Sequence, residues 1–322
     1  MTIFRFGYVA MSMHVKNASP SKTMTYSQFV KIADYDAAIA KLVRIARTNL
    51  HNCLRLLRHN EVHDIHFFRF SSKLIPLVNH PEIEKWDYIA PLKEGLSEIR
   101  SFIKEHPFVR VDFHPDHFVV LNTKDKHTFS MSLKTLQMHY LLLRGMGIAP
   151  KHRCVLHVGG GYEDKEQALE RFIYNWSMIP PHIQGMLMLE NDDTTFTLKD
   201  TLYVCEKLGV PLVFDYHHYL VNHEEGSCLQ DEWKRIIKTW SFSPLPIKVH
   251  ISSPRSNQDY RAHADGIDLE MFWEFVQLVK GTVEQVDVMI EAKLKDEALF
   301  QLMKDIRLQK NVQWINDSSF IV

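Results

Sequence analysis

One α/β domain spanning residues 1–322 and folded as a (β/α)8 barrel is what the sequence predicts, and three observations carry that expectation. Short apolar runs recur along the whole chain, segments with helical spacing of apolar residues separate them, and seven of eight runs finish on a potential metal ligand.

The opening MTIFRFGYVA reads as a strand, placed over 3–8. After it, Ile39, Leu42, Val43, Ala46, Leu50, Leu54 and Leu57 recur three or four apart, as on the buried face of an amphipathic helix over 39–57. The remaining apolar runs predict strands over 65–70, 109–113, 153–157, 186–190, 211–215, 246–250 and 286–291. Alternation of strand and helix argues for a parallel sheet covered by helices, and eight such units favour a closed TIM barrel over an open doubly wound sheet. Polar residues sharpen that choice. The runs end at His66, His114, His157, Glu190, Asp215, His250 and Glu291, and a barrel opens every strand C-terminus onto one face, so residues more than two hundred positions apart meet there.

With 322 residues, 45% of them hydrophobic, the chain suits one large barrel or two smaller domains. Its prolines are scattered, and no Gly/Ser-rich stretch or block of like charge divides it, which favours one domain. No apolar run approaches the roughly 18 residues that span a bilayer, and the opening lacks the cationic lead of an export signal. Cys53, Cys154, Cys205 and Cys228 show no C-x-x-C spacing, so a soluble protein of the reducing cytoplasm is expected. A net charge of −1 offers no electrostatic signature of a nucleic-acid binder, although bound metal ions would add positive charge to one pocket. The 19 histidines are the unusual feature, and they direct attention to the strand ends.

Imidazole and carboxylate together suit manganese, zinc, iron or cobalt, whereas magnesium alone favours oxygen. No cysteine stands at these strand ends, which points to an open catalytic cluster rather than a structural zinc. In FDYHHY, Asp215 and His218 are three apart just past a strand and can share a pocket, with His217 as the alternative. Lys248 and His250 share one face of their strand, and RAHAD supplies His263. A carboxylate such as Glu190 or Glu291 can bridge two ions, so this set suffices for about two or three metals. Clusters of that kind cleave phosphodiesters, whereas sugar isomerases of the same fold lean on carboxylates rather than on so many histidines.

In order along the chain, GYVAMS, HFFRFSSKLIP, FHPDHFVVL, LHVGGG, MLEND, FDYHHY, KVHISSPRS, RAHADGID and MIEAKLKD resemble the UV damage endonuclease family over nearly the whole length. The resemblance implies a manganese-dependent barrel akin to endonuclease IV, with magnesium, cobalt or zinc as substitutes. It implies nicking of double-stranded DNA immediately 5′ of pyrimidine dimers and 6-4 photoproducts, leaving a 3′-hydroxyl and a 5′-phosphate. Carried onto this sequence, the metal cluster falls on His114, His157, Glu190, Asp215, His218, His250, His263 and Glu291, with His66 beside it as ligand or supporting partner. Glu190, Lys248 and Glu291 form the implied catalytic set. An ammonium among divalent cations is driven toward its neutral form, and the resemblance implies a carboxylated lysine at Lys248.

The same resemblance bears on DNA contacts. Arg69, with Ser71 and Ser72, is a candidate for the DNA backbone, and Tyr8 for a nucleotide. Where many relatives carry Gly-Gln-Tyr after His-Pro, this chain has Asp116, His117 and Phe118, so His117 and Phe118 inherit the place of the lesion probe. Gly159, Gly160 and Gly161 lack the P-loop lysine and read as a tight turn beside His157. A monomer suffices for one barrel face to grip a bent duplex. The competing readings are an apurinic-site endonuclease, a metal-dependent sugar isomerase, and a barrel that only binds a partner.

Overall fold

Each of the eight apolar runs forms a strand. In the computed structural model, which describes residues 1–83 and 86–322, these are β1 (Ile3–Val9), β2 (Phe67–Arg69), β3 (Arg110–Asp112), β4 (Cys154–His157), β5 (Leu187–Glu190), β6 (Leu212–Asp215), β7 (Ile247–Ile251) and β8 (Gln285–Ile290). All pair in parallel in the order β3-β2-β1-β8-β7-β6-β5-β4. The ring closes between β3 and β4 through a single parallel bridge, Phe113 with Cys154, carried by Phe113 N–H to the Arg153 carbonyl (2.8 Å) and Val155 N–H to the Phe113 carbonyl (3.0 Å). The fold is the expected (β/α)8 barrel.

Helices connect the strands. The one expected over 39–57 runs from Tyr35 to Val62, because Asp34 caps it by accepting the Ala37 N–H (2.8 Å) and its buried face continues from Ala38 to Asn60. The C-terminal segment adds what the apolar runs did not predict, a hairpin of β9 (Gln313–Asn316) and β10 (Ser319–Ile321). β10 lies antiparallel to Ile3–Arg5, the lower half of β1, while β2 takes the upper half, Gly7–Val9. At Gly7 a Cβ would stand 1.9 Å from the Phe67 carbonyl oxygen, so this crossing of β1 and β2 admits only glycine.

Side-chain alternation along each strand sorts the interior from the helix layer. On β1, Phe4 and Phe6 face outward and pack on Phe272 and Phe320, whereas Arg5 points into the barrel. The interior is polar in layers. At the floor, Asp287 receives Arg5 (Nε to Oδ1, 2.8 Å; Nη2 to Oδ2, 2.7 Å) and Arg110 (Nη1 to Oδ2, 2.8 Å). Above it, Lys248 Nζ donates to Asp112 Oδ2 at 2.7 Å, both fully buried. The histidines and carboxylates of the strand ends form the mouth.

Candidate metal centre at the barrel mouth

Glu190, the last residue of β5, stands at the centre of the mouth and is almost wholly buried. Its Oε2 lies 2.8 Å from His114 Nε2 and 3.8 Å from His157 Nε2, while its Oε1 lies 2.7 Å from His250 Nδ1 and 3.6 Å from His218 Nδ1. Strand register produces part of this: His157 pairs with Glu190, and Asp215 with His250. Two groups of donor atoms, each mutually within 4.8 Å, result: His114, His157 and Glu190; and Glu190, Asp215, His250 and Glu291. Glu190 belongs to both.

Local structure decides between His217 and His218. Asp215 caps the short helix Tyr216–Val221 by accepting the His218 N–H (2.8 Å), which turns His218 toward the mouth. His217 is committed elsewhere, with Nδ1 2.8 Å from Ser252 Oγ and Nε2 donating to the Tyr260 carbonyl at 2.8 Å. His263 sits on the rim, its Nδ1 donating to the Glu291 carbonyl (2.8 Å) and its ring 6.3 Å from that of His218.

The donor set fits metal ions. His114, His218 and His263 each donate Nδ1–H to a backbone carbonyl, of Pro115, Asn191 and Glu291, and this leaves Nε2 as the metal-binding atom. Asp215 Oδ2 and His157 Nδ1 are buried without a hydrogen-bond partner. Burial, reinforced by Arg69, lowers the His114 pKa to about 4, so a neutral Nε2 lone pair faces the Glu190 carboxyl and only a proton or a cation between them relieves the repulsion.

Charges in the mouth shift one another. Burial raises Asp215 to about 6 against the pull of His218, and burial likewise raises Glu190. For Glu291 burial acts upward, but Arg69 and His263 outweigh it and hold the carboxyl below the usual range. Burial opposes charge on His218, yet Asp215, Glu190 and Glu291 raise it to about 9. Burial depresses His157 and, with Arg69 and Lys248, His250. It also lowers Lys248 to about 8 against the attraction of Asp112.

Three expectations need correction. His66 precedes β2 instead of ending it, so it lies away from the mouth; its Nε2 is 3.7 Å from Glu61 Oε2 and its ring packs on Phe108 at 4.5 Å. Tyr8 has the outward parity of Phe4 and Phe6; it is fully buried, its hydroxyl donating to Asn60 Oδ1 at 2.7 Å, and so its ring faces the helix layer rather than the mouth. Arg69, the true end of β2, is buried in the mouth and committed to protein partners: Nη1 is 2.6 Å from Glu291 Oε1 and Nη2 donates to His250 Nε2 at 2.6 Å. His117 and Phe118 are exposed, Phe118 at 75%, with ring centroids 4.1 Å apart. Asp112 was missed. It stands two residues before His114 on one strand, so the same alternation that turns His114 inward could have found it.

The family model described as UV-endonuclease UvdE matches residues 4–320. The chain belongs to the UV-endonuclease UvdE family. Among its relatives, the UV DNA damage endonuclease of Halalkalibacterium halodurans is 53% identical over 316 residues, 98% of each chain. The crystal structure of SacUVDE superposes with a TM-score of 0.82 at 31% identity, covering 94% of this chain and 98% of that one. Endonuclease IV from Thermus thermophilus shares the fold alone, with a TM-score of 0.55 and 10% identity over 90% of this chain and 93% of that one. Membership in the UvdE family implies a nuclease. No helix among the described residues is long and apolar enough to cross a membrane.

Proposed function

We propose that this chain is a DNA repair endonuclease that hydrolyses the phosphodiester immediately 5′ of UV photoproducts, pyrimidine dimers and 6-4 photoproducts, leaving a 3′-hydroxyl and a 5′-phosphate. The observation that carries the reading is Glu190, shared by two donor groups at the mouth of a UvdE-family barrel. We take the partner to be damaged double-stranded DNA, bound by a cytoplasmic monomer.

His114, His157, Glu190, Asp215, His218, His250, His263 and Glu291 would hold about two or three manganese ions, with magnesium, cobalt or zinc as substitutes. Bound there, the ions supply Lewis acidity for water and for the scissile phosphate. The chain does the rest. Glu190 joins the two donor groups, Glu291 belongs to the second, and backbone carbonyls lock the ring orientation of three histidines. Arg69 steadies Glu291 and His250 from β2. His117 and Phe118 stand exposed on the loop after β3, where inserting beside a weakened base step costs less than in intact DNA.

Lys248 belongs to the same proposal. Its burial, its pKa of about 8 and its inward face shared with His250 suit reaction of the neutral amine with carbon dioxide, in which an N–C bond forms, one N–H proton is released and a carbamate anion remains. The ion pair with Asp112 is the competing state of that nitrogen. A crystal structure of the holoenzyme decides: an unmodified ammonium on Asp112 sinks the carbamate.

The functional test is direct. Purified protein with manganese is given irradiated, abasic and untreated plasmid. Nicking confined to irradiated plasmid is the expected result, with end-labelled oligonucleotides locating the cut. Preference for the abasic plasmid transfers the reading to an apurinic-site endonuclease.

A further inference from the structure

Beside His157, the loop after β4 holds a residue in an uncommon state. Tyr162 has φ of +53°, a left-handed conformation that a bulky side chain adopts rarely and at a cost. Its ring is not buried in return: the residue is 55% exposed. A strained backbone that presents an aromatic ring to solvent gains little from core packing, and strain of this kind clusters at ligand sites.

The ring is also held in place. Its edge lies beside Gly160, where a Cβ would stand 3.5 Å from two ring carbons, and the Arg171 guanidinium lies 5.4 Å from its centroid. The loop itself is tied to its neighbour. Asn122, fully buried in the loop after β3, donates Nδ2 to the Gly160 carbonyl at 2.7 Å. Gly159 has φ of +120°, and a Cβ there would come 2.3 Å from Asn122 Oδ1, so glycine is required for the two loops to dock. Asn122 follows Phe118 by only four residues. Two adjacent loops, one bearing His117 and Phe118 and the other Tyr162, are therefore joined by a buried amide at the mouth.

We propose that Tyr162 stacks on a nucleobase at the mouth and forms, with the Phe118 loop, one aromatic clamp joined through Asn122. Every base offers a flat face, and an aromatic ring fixed in advance loses little freedom on stacking. The inference rests on DNA being the substrate, and it adds to that reading a second binding residue of a kind that sets affinity rather than chemistry.

The test uses a duplex oligonucleotide with a single pyrimidine dimer, measured by nicking kinetics, and a fluorescein-labelled duplex with an unpaired base, measured by anisotropy without cleavage. Tyr162→Ala should raise KM and the dissociation constant about tenfold, the size of one base–aromatic stack, with kcat within about twofold of wild type. Tyr162→Phe should behave as wild type. Tyr162→Gly separates fold from function, because relief of the left-handed strain should raise Tm while binding falls as far as in the alanine variant. Tyr162→Ala combined with Phe118→Ala should lose less than the product of the single losses if the two act as one clamp. Unchanged binding in the alanine and glycine variants, or a phenylalanine variant as weak as alanine, overturns the stacking role; strict additivity overturns the clamp. Wild-type activity on the dimer duplex judges the functional reading separately, since the anisotropy ratios need no cleavage.

Discussion

The floor and the mouth of this barrel both bury charge inside one ring of strands, and they leave it in different states. At the floor both oxygens of Asp287 are taken, by Arg5 and Arg110, and these guanidinia hold its carboxyl low against burial. At the mouth Glu190, Asp215 and Glu291 crowd against imidazoles that burial keeps mostly neutral, and Asp215 Oδ2 has no partner. At the floor the Asp287 carboxylate is fully paired without any addition. The mouth becomes complete only when positive charge is added. A buried carboxylate paired by guanidinia therefore does not mark a site; buried carboxylates clustered against neutral imidazoles do.

The comparison breaks most sharply at Glu190. Replacing Glu190 or Glu291 with alanine should lower nicking by several orders of magnitude, on the order of a lost metal centre; in the metal-free protein Glu291→Ala should also lower stability, because it leaves the Arg69 guanidinium buried without its carboxylate. Turnover near wild type in either variant would detach the cluster from the chemistry. Asp287→Ala is the mirror experiment. It leaves Arg5 and Arg110 without their partner and should destabilise the protein by about 3–5 kcal/mol in urea titration, with manganese uptake by the folded fraction retained. Loss of manganese binding at full stability would mean that floor and mouth are not separable.

Acid should act through the mouth and through buried histidines outside it. Burial holds His114, His139 and His152 at about 4 and depresses His157 and His250, whereas unfolded imidazoles titrate near 6.5. Between those values the unfolded chain binds protons that the folded chain refuses, so this stability is full above about 6.5 and is lost as pH falls toward 4. Asp215 and Glu190, both raised, and His218, raised to about 9, act in the opposite direction. The lowered imidazoles, His152 and His217 among them, outnumber these three groups, so denaturation at pH 7, 6 and 5 should show falling stability, more steeply with manganese present because protons compete for the same nitrogens. A flat profile would show that the mouth takes up protons as matched imidazole–carboxyl pairs.

The smallest effect is expected at the surface. His117→Ala with Phe118→Ala should keep metal content and Tm yet lose most nicking of irradiated duplex, in line with about 1–3 kcal/mol per stacked base. Loss of metal in that variant would place the pair inside the centre, against their exposure.

Why the sequence was informative follows from the same contrast. Strand ends could be read because in a barrel they all face one way, and this brought His114, His157, Glu190, Asp215, His250 and Glu291 together from separate runs. His66 fails the same reading because a histidine before an apolar run and one after it look alike until chain direction is applied. Tyr8 fails on parity, one residue off the inward face. Arg110, Asp112 and Asp287 escaped notice because charge inside a strand runs against an apolar pattern, and only the pairing of distant strands reveals the partner. The β9–β10 hairpin is short, and its place depends on the lower half of β1 being free of β2.

The closure of the ring has a kinetic consequence. Seven joints of the barrel are ladders of at least two residue pairs, whereas β3 and β4 meet at the single Phe113–Cys154 bridge. Local opening starts where the fewest bonds must break together, so the Phe113 and Val155 amides should exchange with deuterium ahead of those in β7 and β8. That seam lies beneath the loops of Phe118 and Tyr162. A duplex gripping both would act as a staple across it, and slower exchange at these two amides would report DNA engagement from inside the barrel wall.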